Sequence, residues 1–209
     1  MDVNQETVAN PFGMDEDCRQ CPALCDTRTQ IVHGYGDVSA EFLVLGDAPG
    51  PGADRTGVPF TGDADGRAVL DLLADLGFVE SPERDEPTVD NVFLTSLTRC
   101  RHPERPPTDD EVRNCEDFLT AEVRMINPEI ILPIGQRALS ALAYEYTTKP
   151  PAELDVEDAH ATTIRGRGFE LVPATSPDEW TDERRAALFE HLRSLLDRDY
   201  RQTKGRRSR

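Results

Sequence analysis

Residues 42–62 read FLVLGDAPGPGADRTGVPFTG, an apolar run followed by five glycines and three prolines among the seventeen positions 46–62. The run reads as a strand. The segment after it carries too many helix and strand breakers to continue in either form. Such a composition lets backbone come very close to another group, and Asp47 and Phe60 are placed where they can meet it.

Outward from that stretch the same alternation recurs. Apolar strand candidates lie at 41–46, 91–97, 129–134 and 168–173, and each is followed by a helical pattern. Residues 66–78 put Val69, Leu72, Leu73 and Leu76 on one face at helical spacing. Thr108 with Glu111 reads as a capping box opening a helix to about 126. A third helix starts at Gly135 and runs through Ala143, and 181–196 aligns Leu188, Leu192 and Leu195. Residues 144–162 read as a polar connection. Strands alternating with helices predict an α/β fold, a three-layer α/β/α sandwich around a four-stranded, mainly parallel sheet. Ligands of such sheets sit beyond the carboxyl ends of the strands. Here those ends are Asp47, Ser96, Gly135 and Ala174–Pro177.

The 209 residues suit one domain, expected over 17–198, between a disordered acidic N-terminus (1–16) and a disordered basic tail (199–209). The start of the chain lacks a secretory signal pattern, and no apolar run is long enough to span a bilayer. A soluble, cytoplasmic monomer away from membranes is expected. The chain holds 40 acidic residues against 21 Arg and 2 Lys, for a net charge of −17. That balance normally argues against a nucleic-acid partner. Scarce lysine and dispersed carboxylates instead look like a halophile's adaptation to a salty cytoplasm. At 1 M salt the Debye length is roughly 3 Å, so an acidic surface does not exclude DNA.

Five cysteines lie at 18, 21, 25, 100 and 115. A Cys-x2-Cys pair and a distant Cys-x14-Cys pair read as two half-sites of one metal centre, zinc or iron–sulfur on spacing alone. Plain core packing is the alternative for Cys115, which shares a helical face with Val112, Leu119 and Ile126. Cys25 either replaces Cys21 or is simply buried.

These stretches together resemble the family 4 uracil-DNA glycosylases over roughly 18–177. CRQCPALCDTRTQIVHGYGD is similar to that family's opening, GDAPGPGADRTGVPFTGDADGR to its first active-site motif, NVFLTSLTRCRHPERPPTDDEVRNC to its strand and cluster loop, and NPEIILPIGQRAL to its next strand and glycine turn. The resemblance implies a uracil-DNA glycosylase-like fold and a [4Fe–4S] cluster on Cys18, Cys21, Cys100 and Cys115. It also implies hydrolysis of the N-glycosidic bond of uracil, or another deaminated base, flipped out of DNA. In that reading Gly46, Ala48, Pro49 and Gly50 bring backbone to the base, Phe60 stacks on it, and Asp47 holds the attacking water.

Three positions depart from the family pattern. Asp47 stands where the family has Glu, Ser96 where it has a base-reading Asn, and Ser176-Pro177-Asp178 where it has His-Pro-Ser. Ser176 takes the place of the catalytic histidine, which stabilises the departing anion, and loss of one such donor costs about 10²–10³ in rate. His160 is the histidine that folding could bring near. A non-catalytic nucleic-acid-binding relative that keeps the cluster, and a redox or electron-transfer protein, are the competing readings.

Overall fold

The computed structural model describes residues 7–197. Its centre is a six-stranded mixed sheet: β1 (Tyr35–Gly36), β2 (Phe42–Gly46), β5 (Val92–Ser96), β6 (Ile130–Pro133), β7 (Ile164–Arg165) and β8 (Glu170–Leu171). Two further strands, β3 (Val79–Glu80) and β4 (Thr88–Val89), pair only with each other. The sheet order is β1-β5-β2-β6-β8-β7. Its four inner strands are parallel and coincide with the four apolar runs. The expected four-stranded sheet is therefore wrong by its two edges, where β1 and β7 add antiparallel pairs. Each has two residues, too few to leave a periodic signal. At β1, Gly36 has φ +137°, and a Cβ there would lie 2.4 Å from the Val92 carbonyl oxygen.

Every side chain of β2, β5 and β6 is buried, as strands covered on both faces require. Leu43, Leu45, Phe93 and Ile131 face one layer, with α4 (Asp109–Ile126) and α5 (Gln136–Tyr146). Phe42, Val44, Leu94 and Leu132 face the other, with α3 (Ala64–Asp75) and α7 (Asp182–Leu196). Each fully buried aliphatic side chain stabilises the fold by about 1.5–3 kcal/mol. The three-layer sandwich stands.

Several local expectations change. The glycine-rich segment does hold a helix, α2 (Pro51–Thr56), with Pro at its first turn and left-handed Gly57 closing it. Proline needs no hydrogen bond at N1 and glycine tolerates the cap, so the breakers bound a short helix rather than forbid it. Residues 7–16 are not all outside the domain. Phe12 and Met14 are buried in the core, and the Phe12 ring centroid lies 5.7 Å from that of Phe93. The supposed polar connection holds the end of α5, a 3-10 turn at Pro151–Glu153 and α6 (Val156–Ala159), with Leu154 and Val156 buried. The basic tail at 199–209 lies outside the described residues. The capping box of α4 forms as read: Glu111 N–H donates to Thr108 Oγ1 at 3.3 Å, and Thr108 N–H to Glu111 Oε2 at 2.8 Å.

Candidate active site

The parallel register sets Gly46 beside Ser96, and their strand ends open into a cavity of about 300 Å3. Asp47, Ala48, Gly50, Phe60, Ser96, Ser176 and Asp178 line it. Pro49 lines an adjoining cavity of about 340 Å3 instead, with Asp47, Arg101, His102 and Arg105. A larger cavity of about 580 Å3 lies between α4 and α5, and Arg137, which lines it, also reaches Asp47.

Phe60 is held in an unusual way. Its φ is +62°, in the left-handed region that a bulky residue rarely adopts. Two glycines make room for it. A Cβ on Gly66 would fall 2.4 Å from the Phe60 carbonyl oxygen, and one on Gly46 would fall 3.1 Å from the ring's Cζ. Asp63 holds the turn together, accepting from Gly52 N at 2.9 Å and from Gly66 N at 2.9 Å. The loop therefore spends backbone strain to present an aromatic ring at the strand ends, and such strain gathers at functional sites.

Asp47 follows β2 directly, and its carbonyl accepts from Thr98 N at 3.2 Å. Arg137 Nε, from the first turn of α5, lies 3.3 Å from Asp47 Oδ1. This ion pair lacks hydrogen-bond alignment, so Oδ1 is buried without a hydrogen-bond partner. Burial pushes the Asp47 carboxyl above its usual range, and the Arg137 cation opposes the rise. The motif reading did not single out Arg137. The signal available was an Arg two residues past a glycine turn at a strand's carboxyl end.

Ser96 is buried, and its Oγ lies 3.4 Å from where a Gly46 Cβ would stand. Its neighbour Thr95 points to the opposite face and donates to Glu122 Oε2 at 2.7 Å. Ser176 Oγ sits beside Gly135, 3.2 Å from an added Cβ. His160 does come close, but it faces away from the cavity's lining. Its Nδ1 accepts from Thr175 N at 3.1 Å and its Nε2 meets the Arg184 carbonyl oxygen at 2.9 Å. Those bonds engage both ring nitrogens. Among the described residues no Lys, Arg or His lines the cavity that Phe60 shares with Asp47, while Arg67 lines a second cavity on the other side of Phe60 and Asp63.

All five cysteines are free thiols, and each lies within electrostatic reach of at least two others. Cys115 senses Cys100 and Cys21, and Cys100 senses Cys18 and Cys25. Two thiols receive side-chain N–H groups: Arg28 Nη1 donates to Cys100 Sγ at 3.1 Å, and Asn114 Nδ2 to Cys21 Sγ at 3.4 Å. Cys25 Sγ meets the Cys18 carbonyl at 3.8 Å. Among the described residues no three His, Cys, Asp or Glu side chains converge on a single ion. A cubane cluster asks for something else, four thiolates each on its own iron and well apart. The thiols gather in one region, and Arg28 and Asn114 bring N–H donors to two of them.

The uracil DNA glycosylase superfamily profile matches residues 33–197. A type-5 uracil-DNA glycosylase of Thermus thermophilus is 33% identical over 172 residues, 72% of this chain and 78% of that protein. Type-4 uracil-DNA glycosylases of Archaeoglobus fulgidus and Saccharolobus solfataricus are each 30% identical, covering 74% and 90% of this chain and 68% and 80% of their own lengths. With its strand-end cavity and that match over most of its length, the chain belongs to the uracil DNA glycosylase superfamily.

Proposed function

We propose that this protein is a base-excision repair glycosylase that hydrolyses the N-glycosidic bond of uracil, or another deaminated base, flipped out of DNA. One observation carries the reading: the Asp47 carboxylate and the Phe60 ring share one base-sized cavity at the carboxyl ends of β2 and β5. Phe60 stacks on the flipped base while the Ser96 and Ser176 hydroxyls meet its edge. Asp47 orients water towards the sugar carbon and stabilises the positive charge that grows there. The proton lost by that water passes to the carboxylate. Arg101, His102 and Arg105, beside Asp47 in the adjoining cavity, approach the DNA backbone.

A [4Fe–4S] cluster on Cys18, Cys21, Cys100 and Cys115 completes the reading. When bound it supplies a structural cross-link between the N-terminal segment, the loop after β5 and α4. Anaerobically purified protein is expected to absorb near ~400 nm and to hold about four irons. Cys115→Ala should bleach it, whereas Cys25→Ala should not.

The deciding assay is cleavage at uracil in single- and double-stranded oligonucleotides, in low and in molar KCl. Asp47→Asn should keep DNA affinity and lose base release by about 10²-fold or more, since one charge worth about 4 kcal/mol at 4 Å is removed. Full activity of Asp47→Asn would remove the carboxylate from the mechanism. A non-catalytic, DNA-binding reading is favoured by the turned-away His160. It predicts binding without release under every condition.

A further inference from the structure

Uracil leaves as an anion, yet the cavity that would receive it is acidic. Asp47, Asp63, Asp65 and Asp178 all line it, with no basic side chain among them. Asp63 is occupied by two backbone N–H groups. Asp65 and Asp178 are exposed at the mouth and sense each other's charge. Arg137, beside Asp47, is committed to Asp47 and Asp109, and Arg67, in the next cavity along the Phe60 loop, is paired with Asp71. His160 has both ring nitrogens bound elsewhere. A negative leaving group is thus repelled and meets only hydroxyls and backbone amides.

A base that is already positively charged reverses every one of these terms. We infer that the site accepts cationic N-alkylated purines, such as 7-methylguanine, in DNA; this rests on the base-excision reading and widens its substrate class. The ring's charge is drawn to the rim carboxylates and lies over the Phe60 face. The bond between C1′ and the purine nitrogen breaks, and its electron pair neutralises the ring. Water oxygen bonds to C1′ and gives a proton to Asp47, which passes it to solvent. The products are a neutral alkylpurine and an abasic sugar. Positive charge moves from base to sugar, towards Asp47, and no anion forms. Stabilisation of the leaving group, which Ser176 cannot supply as a cation would, is not needed.

The test uses the full chain in single-turnover reactions with oligonucleotides bearing one 7-methylguanine, one uracil, or one 7-methyl-7-deazaguanine. The last has the shape of methylguanine without its charge. Released base is measured by chromatography and mass spectrometry against protein-free controls. Methylguanine is expected to leave at least tenfold faster than uracil, and the deaza analogue not at all. In Asp65→Asn/Asp178→Asn the ratio of methylguanine to uracil release should fall at least tenfold, with uracil release rising. Uracil release with methylguanine at the protein-free rate overturns the inference and leaves the glycosylase reading intact. Methylguanine release without uracil release upholds the inference and removes uracil as substrate. Release of neither overturns both. An unchanged ratio in the double variant, or release of the deaza analogue, also overturns the inference, because charge would not be the selector.

Discussion

Replacing Arg99 by Met removes the cation from a pair that is 1% exposed on each side. Arg99 Nη2 donates to Glu122 Oε2 at 2.8 Å, and its Nη1 also bonds Thr95 Oγ1. Burial pushes the Glu122 carboxyl upward, and the Arg99 charge pulls it back. Without that charge the cheapest native state is a protonated Glu122. Protonation costs about 1.4 kcal/mol for each pH unit above an unfolded pKa of about 4.3, a ceiling of about 3.7 kcal/mol at pH 7. This falls within the 3–5 kcal/mol typical of a broken buried pair. The sign follows. A carboxyl whose folded pKa is raised keeps its stability below the unfolded pKa and loses it as pH rises towards the folded one. The deficit of Arg99→Met should therefore approach about 3.7 kcal/mol at pH 7 and fall to about 0.5 kcal/mol near pH 4.5. Glu122→Gln should behave differently, since arginine cannot release its proton, and its loss should persist at both pH values. Arg99→Met/Glu122→Leu should recover most of the stability. Urea unfolding, followed by the fluorescence of the single tryptophan, Trp180, and by circular dichroism, reads each value. A deficit below about 1 kcal/mol at pH 7, or one equal at both pH values, would refute the reasoning.

Other perturbations address the site and its supports. Arg137→Gln removes the cation that opposes the rise of the Asp47 carboxyl, so the acidic limb of the pH–rate profile for base release should move to higher pH; an unmoved limb breaks the link between the two residues. His33, buried and held to about 4 by desolvation and the Arg99 charge, is neutral in the fold. Its folded pKa lies below the unfolded 6.5, so stability should fall by up to roughly 3 kcal/mol as pH drops from 6.5 to 4. His33→Gln should flatten that part of the curve in urea titrations. A Cβ on Gly52 would stand 2.1 Å from the Gly62 carbonyl carbon, so Gly52→Ala should displace the Phe60 loop and cost at least tenfold in base release. Wild-type activity in Gly52→Ala would show that the loop is not held as described.

The amino-acid sequence by itself determined the parallel centre of the sheet. β2 and β6 are apolar runs, and β5 opens on one before Thr95 and Ser96, because both faces are buried, and that burial is written into composition. It also determined the start of α4, because a capping box is a local pattern of side chain on backbone. The motif around Asp47 and Phe60 was legible for the same reason, since a tight turn needs its own glycines. Only the tertiary structure decided the edge strands, whose two-residue pairings exist through neighbours far along the chain. It alone brought Arg137 to Asp47 across 90 positions and turned both nitrogens of His160 away from the cavity. Ion pairs and ring orientations depend on how separate helices dock against one sheet, and no local pattern encodes that distance. The acidity of the pocket is likewise a tertiary fact: Asp47, Asp63, Asp65 and Asp178 come from three segments that meet only where the strands end.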